Sequence, residues 1–518
     1  MLVRLAGNLF KTSDFVECRK VILAVSGGSD SLALLFLVKD HLKTLSVPPE
    51  MIVVTVDHQL RRESAREAST VAEICRDNHI KHITVRWEGK KPKTHIASSA
   101  RVARYDLLFK EAQKHGATLI MTGHTLNDQV ETYQMRCQRL QKNAPVLQQE
   151  CFEEKRDGGR STKMAENSAE KNYGQIYQRG LSCIPREALL HRTVRLIRPL
   201  LGVKRKTLRA YLHLKGKTWI DDPTNEDRKF ERVRVRQSLH PKKLIDIAKK
   251  VNEAALQRRQ KAQNIADLIL ALDITVEYGR CFIAKPAPFL QKHPDFPFIV
   301  GLFTVLMGGG AYLLPLQKLI ALFQKLCLNS PEKQRFTLAG SVIEYNPRGE
   351  YNPRGEYNPR GEYNPRGEYN PRGEYNPKGQ YNQKEERKRS GIAVWRESRN
   401  LKEAVVEPGK TFVWDGRYQI TNSGTETLKV GPAGLEQLKS LCKKRNFDRK
   451  RPHYPSLQSL PMISNDKGYD IPELTDHALL QQNVTIKRIM APFDWLLSRE
   501  DAPFINVIEP FFNIEAKR

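Results

Sequence analysis

A glycine-rich turn between a short apolar strand and a helix constrains this chain more than any other stretch. Val21–Val25 is β-rich, Ser26–Ser31 has the sequence Ser-Gly-Gly-Ser-Asp-Ser, and an apolar helical pattern runs from about Ser31 to Leu45. Two glycines let the backbone turn with its N–H groups outward, and the helix adds the positive end of its dipole. The turn therefore predicts a phosphate-binding loop that lacks the Gly-Lys-Ser/Thr ending. An ordinary serine-capped turn is the alternative.

Strand and helix patterns alternate through the first part of the chain. This alternation is typical of a parallel sheet with helices on both faces, whose ligands bind beyond the carboxyl ends of the strands. The residues at those ends are polar in Ser26–Ser31, Asp57-His58 and Gly123-His124, so we expect a site there. The predicted strands are Val21–Val25, Ile52–Val56, Ile83–Trp87 and Thr118–Thr122, and the predicted helices are Ser31–Leu45, Ser64–Asn78, Ser98–His115 and one that starts near Asn127.

The length of 518 residues exceeds what one hydrophobic core supports, so we expect about three domains. The predicted fold class is α/β, with a Rossmann-like parallel-sheet domain at 1–240, a helical domain at 241–330 and a mixed α+β domain at 331–518. Residues 141–180 lack apolar periodicity, and we expect a disordered insertion there.

A hexapeptide, Glu-Tyr-Asn-Pro-Arg-Gly, occurs five times from Glu344, then once with Lys in place of Arg, and ends by Asn382. Each copy carries Pro and Gly at turn spacing and one large side chain, so it cannot bury a core. A β-solenoid is the alternative, although no copy offers a small aliphatic residue to stack inside. We expect residues 344–382 to form a solvated loop that lengthens a hairpin connection.

The longest uncharged run, Phe296–Leu316, is long enough to cross a bilayer by count alone. Gly308-Gly309-Gly310 and the prolines near both ends would break a spanning helix. We therefore expect a buried helix, a glycine turn and a second helix, with no membrane span.

The formal net charge of +28 favours a polyanionic partner such as nucleic acid, although solvated Lys and Arg faces explain the charge equally well. The eight cysteines are scattered, without a Cys-x-x-Cys pair. This usage predicts reduced thiols in the cytoplasm and no zinc or iron–sulfur site.

A second polar segment, Gly123–Thr132, follows the fourth predicted strand. If the helical register already holds at His124, then His124, Asp128 and Glu131 share the face directed at the glycine-rich turn. Carboxylates there can hold Mg²⁺ or accept a proton from an attacking amine. Helix capping by Asn127-Asp128 and a core role for His124 are the alternatives.

Two pairs of arginines are candidates for binding polyanions. Arg101 and Arg104 lie one helical turn apart and can clamp phosphates or a tRNA backbone, or form a solvated basic face. Arg232 and Arg236 share a face in either a helix or a strand. A substrate-facing strip and a structural turn are equally good explanations of the second pair.

Together these segments resemble the N-type ATP pyrophosphatases of the PP-loop family, and among them the tRNA(Ile)-lysidine synthetase family. The resemblance is strong over roughly 20–240 and continues weakly through Gly308-Gly309, Arg396-Glu397 and Trp414–Arg417. The matching motifs are Ser26–Ser31, Asp57-His58-x-Leu60, Ala100-Arg101-x-x-Arg104-Tyr105, His124-x-x-Asn127-Asp128-Gln129-x-Glu131-Thr132, Arg198-Pro199-Leu200, and Asp222-Pro-Thr-Asn225 with Arg232 and Arg236.

The resemblance implies a reaction in which ATP adenylates the carbon-2 oxygen of the wobble cytidine in the isoleucine tRNA with a CAU anticodon. The side-chain amine of free L-lysine then displaces AMP to give lysidine, which changes codon reading from AUG to AUA. The oligomeric state is open, with a homodimer as one option. The resemblance implies catalytic roles for Asp30, His124, Asp128, Glu131 and Arg232, ATP binding by Ser26, Gly27, Gly28, Ser29, Asp30, Ser31, Asp57, His58 and Arg104, and Mg²⁺ binding by Asp30 and Asp128.

The chain departs from the family pattern at three places. Asn127 stands where the family often has Asp, Val233 replaces an Asn, and Leu140-Gln141-Lys142 replaces a Gly-Ser-Gly after Arg139. Competing hypotheses are another enzyme with the same ATP chemistry, such as a tRNA thiolase, GMP synthetase or NAD synthetase, and a catalytically silent RNA-binding protein. The absence of paired cysteines and of a glutaminase domain opposes the thiolase and the GMP synthetase. The intact Asp30 and Asp128 oppose the silent protein.

Overall fold

The computed structural model describes residues 9–61, 63–150, 178–221, 226–240, 243–326, 328, 330–347, 390–444, 453–471, 473–474 and 483–512. Contacts between residues group the chain into two compact units. The first comprises Met1–Asn264 and Phe493–Asn506, and the second comprises Ile265–Pro492 and Val507–Arg518. The division at 264 falls inside one long helix, whereas the predicted boundaries at 240 and 330 remain predictions.

The first unit begins with the predicted alternation of strands and helices. Its strands are β1 (Lys20–Ala24), β2 (Glu50–Asp57), β3 (Lys81–Arg86), β4 (Leu119–Thr122), β5 (Glu187–Leu190) and β6 (Val194–Ile197). Its helices are α1 (Ser29–Leu42), α2 (Ser64–Asp77), α3 (Ile96–His115), α4 (Leu126–Glu150), α5 (Arg205–Leu214), α6 (Glu231–Ser238) and most of α7 (Lys243–Ala271), with 3₁₀ turns at Thr12–Asp14, Gln178–Ser182 and Pro199–Gly202.

One seven-stranded sheet organises this unit, and its strand order shows where a ligand fits. Leu496–Ser498, which is β19, forms one edge, and the order is β19-β5-β6-β4-β1-β2-β3. Strands β3, β2, β1, β4 and β6 are parallel, while β5 and β19 are antiparallel to their neighbours. The chain proceeds from β1 to β2 and β3 on one side, and then places β4 on the other side of β1. The carboxyl ends of β1 and β4 therefore flank the switch point where such sheets bind ligands.

Both faces of this sheet are buried at its central strands β1 and β4, as their apolar composition requires. Alternate residues of β1 point to opposite faces, so Val21 and Leu23 pack with α1 and α5, whereas Ile22 packs with α3. These packed helices fix the ends of β1 and β4 and the loops that follow them. The parallel-sheet part of the predicted fold class is confirmed.

The second unit is mixed α+β and contains three antiparallel sheets. Their orders are β7-β8-β11-β10-β9, β12-β15-β16-β17 and β13-β14-β18. The strands are β7 (Ile274–Glu277), β8 (Arg280–Ala284), β9 (Gln334–Leu338), β10 (Ser341–Asn346), β11 (Gly391–Arg396), β12 (Ala404–Val406), β13 (Thr411–Trp414), β14 (Tyr418–Asn422), β15 (Leu428–Pro432), β16 (Pro461–Asn465), β17 (Gly468–Asp470) and β18 (Val484–Arg488).

The later helices complete the assignment. They are α8 (Pro288–Gln291), α9 (Phe296–Gly308), α10 (Leu316–Lys325), α11 (Leu435–Lys444), α12 (Tyr454–Leu457), α13 (Ala491–Asp494) and α14 (Ala502–Ile508), with 3₁₀ turns at Arg499–Asp501 and Glu509–Phe512.

The apolar run that begins at Phe296 folds as the sequence predicts. Helix α9 is buried almost throughout and ends at Gly308. Gly309 caps it with φ +74°, and α10 begins at Leu316. A left-handed residue of this kind is a common helix stop, and glycine adopts it without strain. Among the described residues, no helix combines the length and hydropathy needed to span a membrane.

Two predicted loops need correction where the structure describes them. Helix α4 continues through Glu150, so the backbone at 141–150 is helical rather than the start of an insertion. The Gln, Lys, Leu and Glu residues of that stretch are good helix formers. Glu344, Tyr345 and Asn346 of the first hexapeptide lie in β10, which pairs with β11 in a hairpin closed at Asn346 and Gly391. The remainder of both predicted loops lies outside the described residues, apart from Pro347 and residues 178–180.

Candidate active site

The glycine-rich turn lies directly between β1 and α1, as its sequence predicts. Gly27 has φ +87°, and a Cβ atom there would come within 2.7 Å of Ile220 Cδ1. Ser31 Oγ accepts the Ser26 N–H at 3.2 Å and donates to the Gly28 carbonyl at 2.9 Å. The turn is thus held by its own serines, with the amino-terminal N–H groups of α1 beside it.

The loop after β4 approaches this turn closely. A Cβ atom on Gly123 would lie 2.9 Å from the carbonyl oxygen of Asp30, so a side chain at 123 would push the two loops apart. The close approach explains why a glycine stands at the end of β4. The two polar segments picked out by the sequence, Ser26–Ser31 and Gly123–Thr132, therefore meet at the switch point.

Three carboxylates from these segments share one guanidinium group. Arg205 Nε donates to Asp30 Oδ2 at 2.8 Å, Arg205 Nη2 lies 3.4 Å from Asp128 Oδ1, and Nη1 lies 3.7 Å from Glu131 Oε1. The structure thus gathers Asp30, Asp128 and Glu131 around a single cation. Asp30 and Asp128 are the pair for which Mg²⁺ binding was predicted.

Asp128 serves two of the roles that the sequence left as alternatives. Its Oδ2 accepts the Thr125 N–H at 2.7 Å and the Thr125 hydroxyl at 2.8 Å, which caps α4. Its Oδ1 faces the site and accepts Arg232 Nη2 at 2.6 Å. One carboxylate therefore both begins the helix and contributes charge to the site.

Glu131 is the most enclosed of the three carboxylates, with 1% of its side chain exposed. Its Oε2 accepts Arg232 Nε at 2.7 Å, and its Oε1 accepts Arg236 Nε at 2.8 Å. Arg232 and Arg236 lie one turn apart on α6, so the helical version of the predicted shared face is correct. Glu131 fixes both arginines at the site.

The charges of this cluster act on Asp30. Burial raises the pKa of the Asp30 carboxyl above its ordinary value, Arg205 opposes the shift, and the nearby charge of Asp128 adds to it. A carboxylate whose charge depends on its neighbours is typical of functional sites, although structural ion-pair networks have the same effect.

His124 precedes the helix that carries Asp128 and Glu131. Helix α4 begins at Leu126, so the helical register does not reach His124, and the prediction of one face shared by His124, Asp128 and Glu131 is wrong for the histidine. His124 Nδ1 instead lies 2.8 Å from Thr122 Oγ1. Burial holds the pKa of His124 well below its ordinary value, and the charges of Arg198, Arg104 and Arg101 lower it further.

Tyr105 is the centre of that group of arginines. The guanidinium carbons of Arg101 and Arg104 lie 5.1 and 5.5 Å from the centroid of its ring, and Arg198 Nη2 donates to its hydroxyl at 3.4 Å. Burial opposes ionisation of the phenol, but the three positive charges outweigh it and lower the pKa of Tyr105 to about 8. The motif Arg101-x-x-Arg104-Tyr105 is thus a packed cluster rather than a solvated basic face.

Asp57 is the last residue of β2, next to β1 in the sheet, and His58 follows it. Asp57 Oδ1 accepts the Gln59 N–H at 2.9 Å and the Ser64 hydroxyl at 2.7 Å, so it holds the local turn. Burial and then the charge of Arg104 lower the pKa of His58 to about 4. Its buried Nδ1 has no hydrogen-bond partner among the described residues. The imidazole is therefore neutral near pH 7.

Arg205 is the site residue that the sequence analysis missed. It occupies the first position of α5, where the helix dipole disfavours a cation. An arginine at such an unfavourable position was the feature of the sequence that could have marked it as a site residue. The backbone N–H of Arg205 donates to Asn127 Oδ1 at 2.9 Å, so the Asn that replaces the family's Asp still accepts a hydrogen bond.

Residues 222–225 of the predicted motif lie outside the described residues. In the described part of the chain, no group of three or more His, Cys, Asp or Glu side chains is arranged to hold a metal.

Comparison with known proteins identifies the family. Residues 2–152 and 173–243 match the model of the PP-loop domain. The chain is 71% identical over 518 residues to the tRNA(Ile)-lysidine synthase of Bartonella quintana (strain Toulouse), and the match covers 100% of both chains. The chain belongs to the tRNA(Ile)-lysidine synthase family. It is also 68% identical over 534 residues to the tRNA(Ile)-lysidine synthase of Bartonella henselae, again over 100% of both chains.

Membership of the tRNA(Ile)-lysidine synthase family confirms the resemblance stated from the motifs. The PP-loop match includes every predicted site residue, and its gap at 153–172 falls inside the predicted insertion. Among solved structures, the U34-tRNA thiolase NcsA from Methanococcus maripaludis with its 4Fe-4S cluster is 15% identical, with a TM-score of 0.35 over 48% of this chain and 77% of that chain. A likeness this weak carries no argument.

Proposed function

We propose that this protein uses ATP to join free L-lysine to carbon 2 of the wobble cytidine in the isoleucine tRNA with a CAU anticodon. The observation that carries the proposal is that Asp30, in the Ser26–Ser31 turn, meets Asp128 and Glu131 at the switch point of the sheet. Full-length identity to proteins named tRNA(Ile)-lysidine synthase supports the substrate assignment. The proposed compartment is the cytoplasm, and a homodimer remains a prediction that light scattering can check.

The first step forms the adenylated tRNA. The N–H groups of the glycine-rich turn and of the start of α1 hold phosphate oxygens of ATP. The carbon-2 oxygen of the cytidine attacks the α-phosphorus, the bond to the β-phosphate breaks, and pyrophosphate leaves. Arg205 and Arg232 are placed to exchange a carboxylate for a phosphate oxygen, since both are partly exposed. His58 and Arg104 complete the proposed ATP site.

The second step transfers lysine. The neutral ε-amine attacks carbon 2 of the activated cytidine, the bond from carbon 2 to the AMP oxygen breaks, and AMP leaves with that electron pair. A carboxylate must bind the incoming ammonium and accept its proton, and Asp128 is the proposed base because its Oδ1 faces the site. Glu131 is proposed to orient Arg232 and Arg236, to which both of its oxygens are bonded.

Asp30 and Asp128 are the proposed ligands of Mg²⁺. Both supply carboxylate oxygens, the donors that this ion prefers, and a single cationic group already bridges them. When bound, Mg²⁺ would neutralise charge on the phosphate oxygens.

The test is mass spectrometry of nucleosides from a tRNA transcript incubated with the protein, ATP, Mg²⁺ and isotopically labelled lysine. Labelled lysidine and one AMP per modified cytidine are expected. A transcript with uridine at the wobble position is the matched control and should stay unmodified. If sulfide gives a thiolated base and lysine is never incorporated, the ligase proposal fails and a tRNA thiolase replaces it.

A further inference from the structure

The segment Phe493–Asn506 belongs to the first compact unit, although the residues on either side of it in sequence belong to the second. Its strand β19 pairs antiparallel with β5 at one edge of the seven-stranded sheet. Just before β19, the carbonyl of Trp495 accepts the His191 N–H at 3.1 Å. The PP-loop match ends at residue 243, so this segment adds to the sheet from outside the matched domain.

Two ion-pair groups fix the segment in place. Asp501 is 5% exposed and accepts Arg258 Nε at 2.9 Å, and Arg179 Nη2 lies 2.7 Å from the same carboxylate. Arg499 Nη1 lies 2.6 Å from Glu187 Oε2 on β5. A buried carboxylate held by two arginines is costly to break, so the segment keeps one position on the sheet.

Trp495 connects this segment to helix α3. Its indole N–H donates to Asp106 Oδ1 at 2.8 Å. Its ring meets the ring of Tyr105 edge to face, with centroids 5.9 Å apart and an interplanar angle of 84°. Tyr105 and Asp106 are neighbours in sequence, so one tryptophan holds the turn of α3 that carries both.

The position of the Tyr105 ring determines where three arginines lie. Arg101 and Arg104 lie over the ring, and Arg198, which is fully buried, donates to its hydroxyl. Cation–π contacts and hydrogen bonds both depend on the location and tilt of the ring. Loss of the edge-to-face contact would leave the ring free to tilt and would move the guanidinium groups with it.

We propose that Trp495 is a positioning residue for the ATP site, acting through Tyr105 on Arg101 and Arg104. The inference rests on the proposed function, because Arg104 is assigned there to ATP. Trp495, which the proposal makes necessary for ATP binding, lies more than 250 residues beyond the end of the PP-loop match. The segment is thus a functional part of the catalytic sheet as well as an edge strand.

The test compares Trp495→Ala with Leu497→Ala in the full chain. Leu497 is buried in β19 but lies outside the apolar cluster that contains Tyr105 and Trp495, so its truncation leaves the contact between those two rings in place. Trp495→Ala should raise the KM for ATP about tenfold with a smaller change in kcat, as expected when a binding group is misplaced. Leu497→Ala should lower the melting temperature and leave that KM within about twofold.

A double-mutant cycle separates positioning from general destabilisation. If Trp495 acts through Arg104, Trp495→Ala should raise the KM by less than about threefold in an Arg104→Ala background. The same tenfold rise in that background, or an equal rise in Leu497→Ala, would overturn the proposal. If Trp495→Ala does not fold, Trp495→Phe decides, because it keeps an aromatic ring and loses the N–H, and about a threefold rise is expected.

A separate measurement distinguishes failure of the positioning role from failure of the proposed ligase function. ATP affinity measured by calorimetry does not require lysine transfer, so it reports the position of Arg104 whatever the second substrate is. Weakened ATP binding in Trp495→Ala, with a wild-type protein that makes no lysidine, would support the positioning role and reject the ligase. Unchanged ATP binding beside an active wild-type enzyme would reject the positioning role alone.

Discussion

The two units each contain a cluster of arginines around carboxylates, and the clusters differ in what surrounds them. In the first unit, Asp30, Asp128 and Glu131 meet Arg205, Arg232 and Arg236 at the end of the sheet. In the second unit, Arg396 and Arg417 share Asp415. The carboxylates of both groups lie in segments that resemble the family, strongly in the first unit and weakly in the second.

The cluster of the second unit is a structural joint. Arg396 bonds Asp415 through Nε and Nη2, each at 2.8 Å, and Arg417 Nε bonds the same carboxylate at 2.6 Å. Arg417 is fully buried, and burial lowers its pKa to about 10. Gly309 packs against the Asp415 carbonyl so closely that a Cβ atom would overlap it. The joint thus locks the end of α9 to the loop after β13.

The two clusters differ in how much of their arginine side chains is exposed to solvent. Arg232 and Arg236 have 41% and 29% of their side chains exposed, whereas Arg417 has 0%. A guanidinium group in contact with water can exchange a carboxylate for an incoming phosphate, but an enclosed one would leave a buried charge uncompensated. The same pairing therefore forms the proposed site in one unit and a joint in the other.

The largest effect is expected from Asp30→Asn, which keeps the shape and removes the charge. The rate of tRNA-dependent AMP formation should fall about 1000-fold, as when a group that stabilises developing charge is removed. Binding of tRNA, measured by filter retention, should change little. Turnover at the wild-type rate would show that the carboxylate of Asp30 is not required.

Asp415→Asn is the counterpart in the joint and should act on stability. Loss of the carboxylate leaves Arg417 buried without its charge partner, so the free energy of unfolding should fall by about 3 kcal/mol. Urea unfolding measures the change. Glu426→Gln is the matched control, because Glu426 pairs with Lys467 at 2.6 Å on the surface, and its loss should leave the free energy of unfolding almost unchanged. Equal losses in both variants would contradict the distinction between joint and surface.

A smaller effect is expected from pH, through one histidine in each unit. The pKa is lowered to about 4 for His58 and to about 3 for His453, in both cases mainly by burial. The unfolded chain takes up these protons near pH 6.5 and the folded chain does not, so each histidine costs stability as pH falls below 6.5. Below pH 6.5 the free energy of unfolding should fall less steeply with pH in His58→Gln and in His453→Gln than in the wild type. The slope should differ by less than about 1.4 kcal/mol per pH unit in each variant. Unfolding curves that keep the wild-type slope in both variants would contradict this assignment.

The smallest effect is expected from removing Glu350–Gly373, four complete hexapeptides. Loop-closure entropy changes slowly with length, so the melting temperature should stay within about 2 °C of wild type. Tyr345→Ala in the first copy is the contrasting control. Tyr345 is fully buried in β10, and its loss should cost about 3 kcal/mol. A fall of many degrees after the deletion would show that the tract is structural.

The sequence predicted much of the fold because local patterns control it. The alternation of apolar strands and amphipathic helices gave the parallel sheet, and Gly308–Gly310 gave the break in the apolar run. Predictions failed where the end of a helix decided the outcome. Helix α4 starts too late to include His124 and ends beyond the predicted start of the insertion. Propensities differ little between neighbouring positions, so they do not fix such ends.

By itself the sequence determined the family, the glycine-rich turn, and the carboxylates and arginines near it, because each depends on residue type and short spacing. Only the tertiary structure decided the partners. It brought Arg205 to Asp30 and Asp128, buried Arg417, and placed Trp495 against Tyr105. Residues that are far apart in sequence leave no local pattern when they meet, since their contact depends on how the sheet orders its strands and on which helix packs over each face.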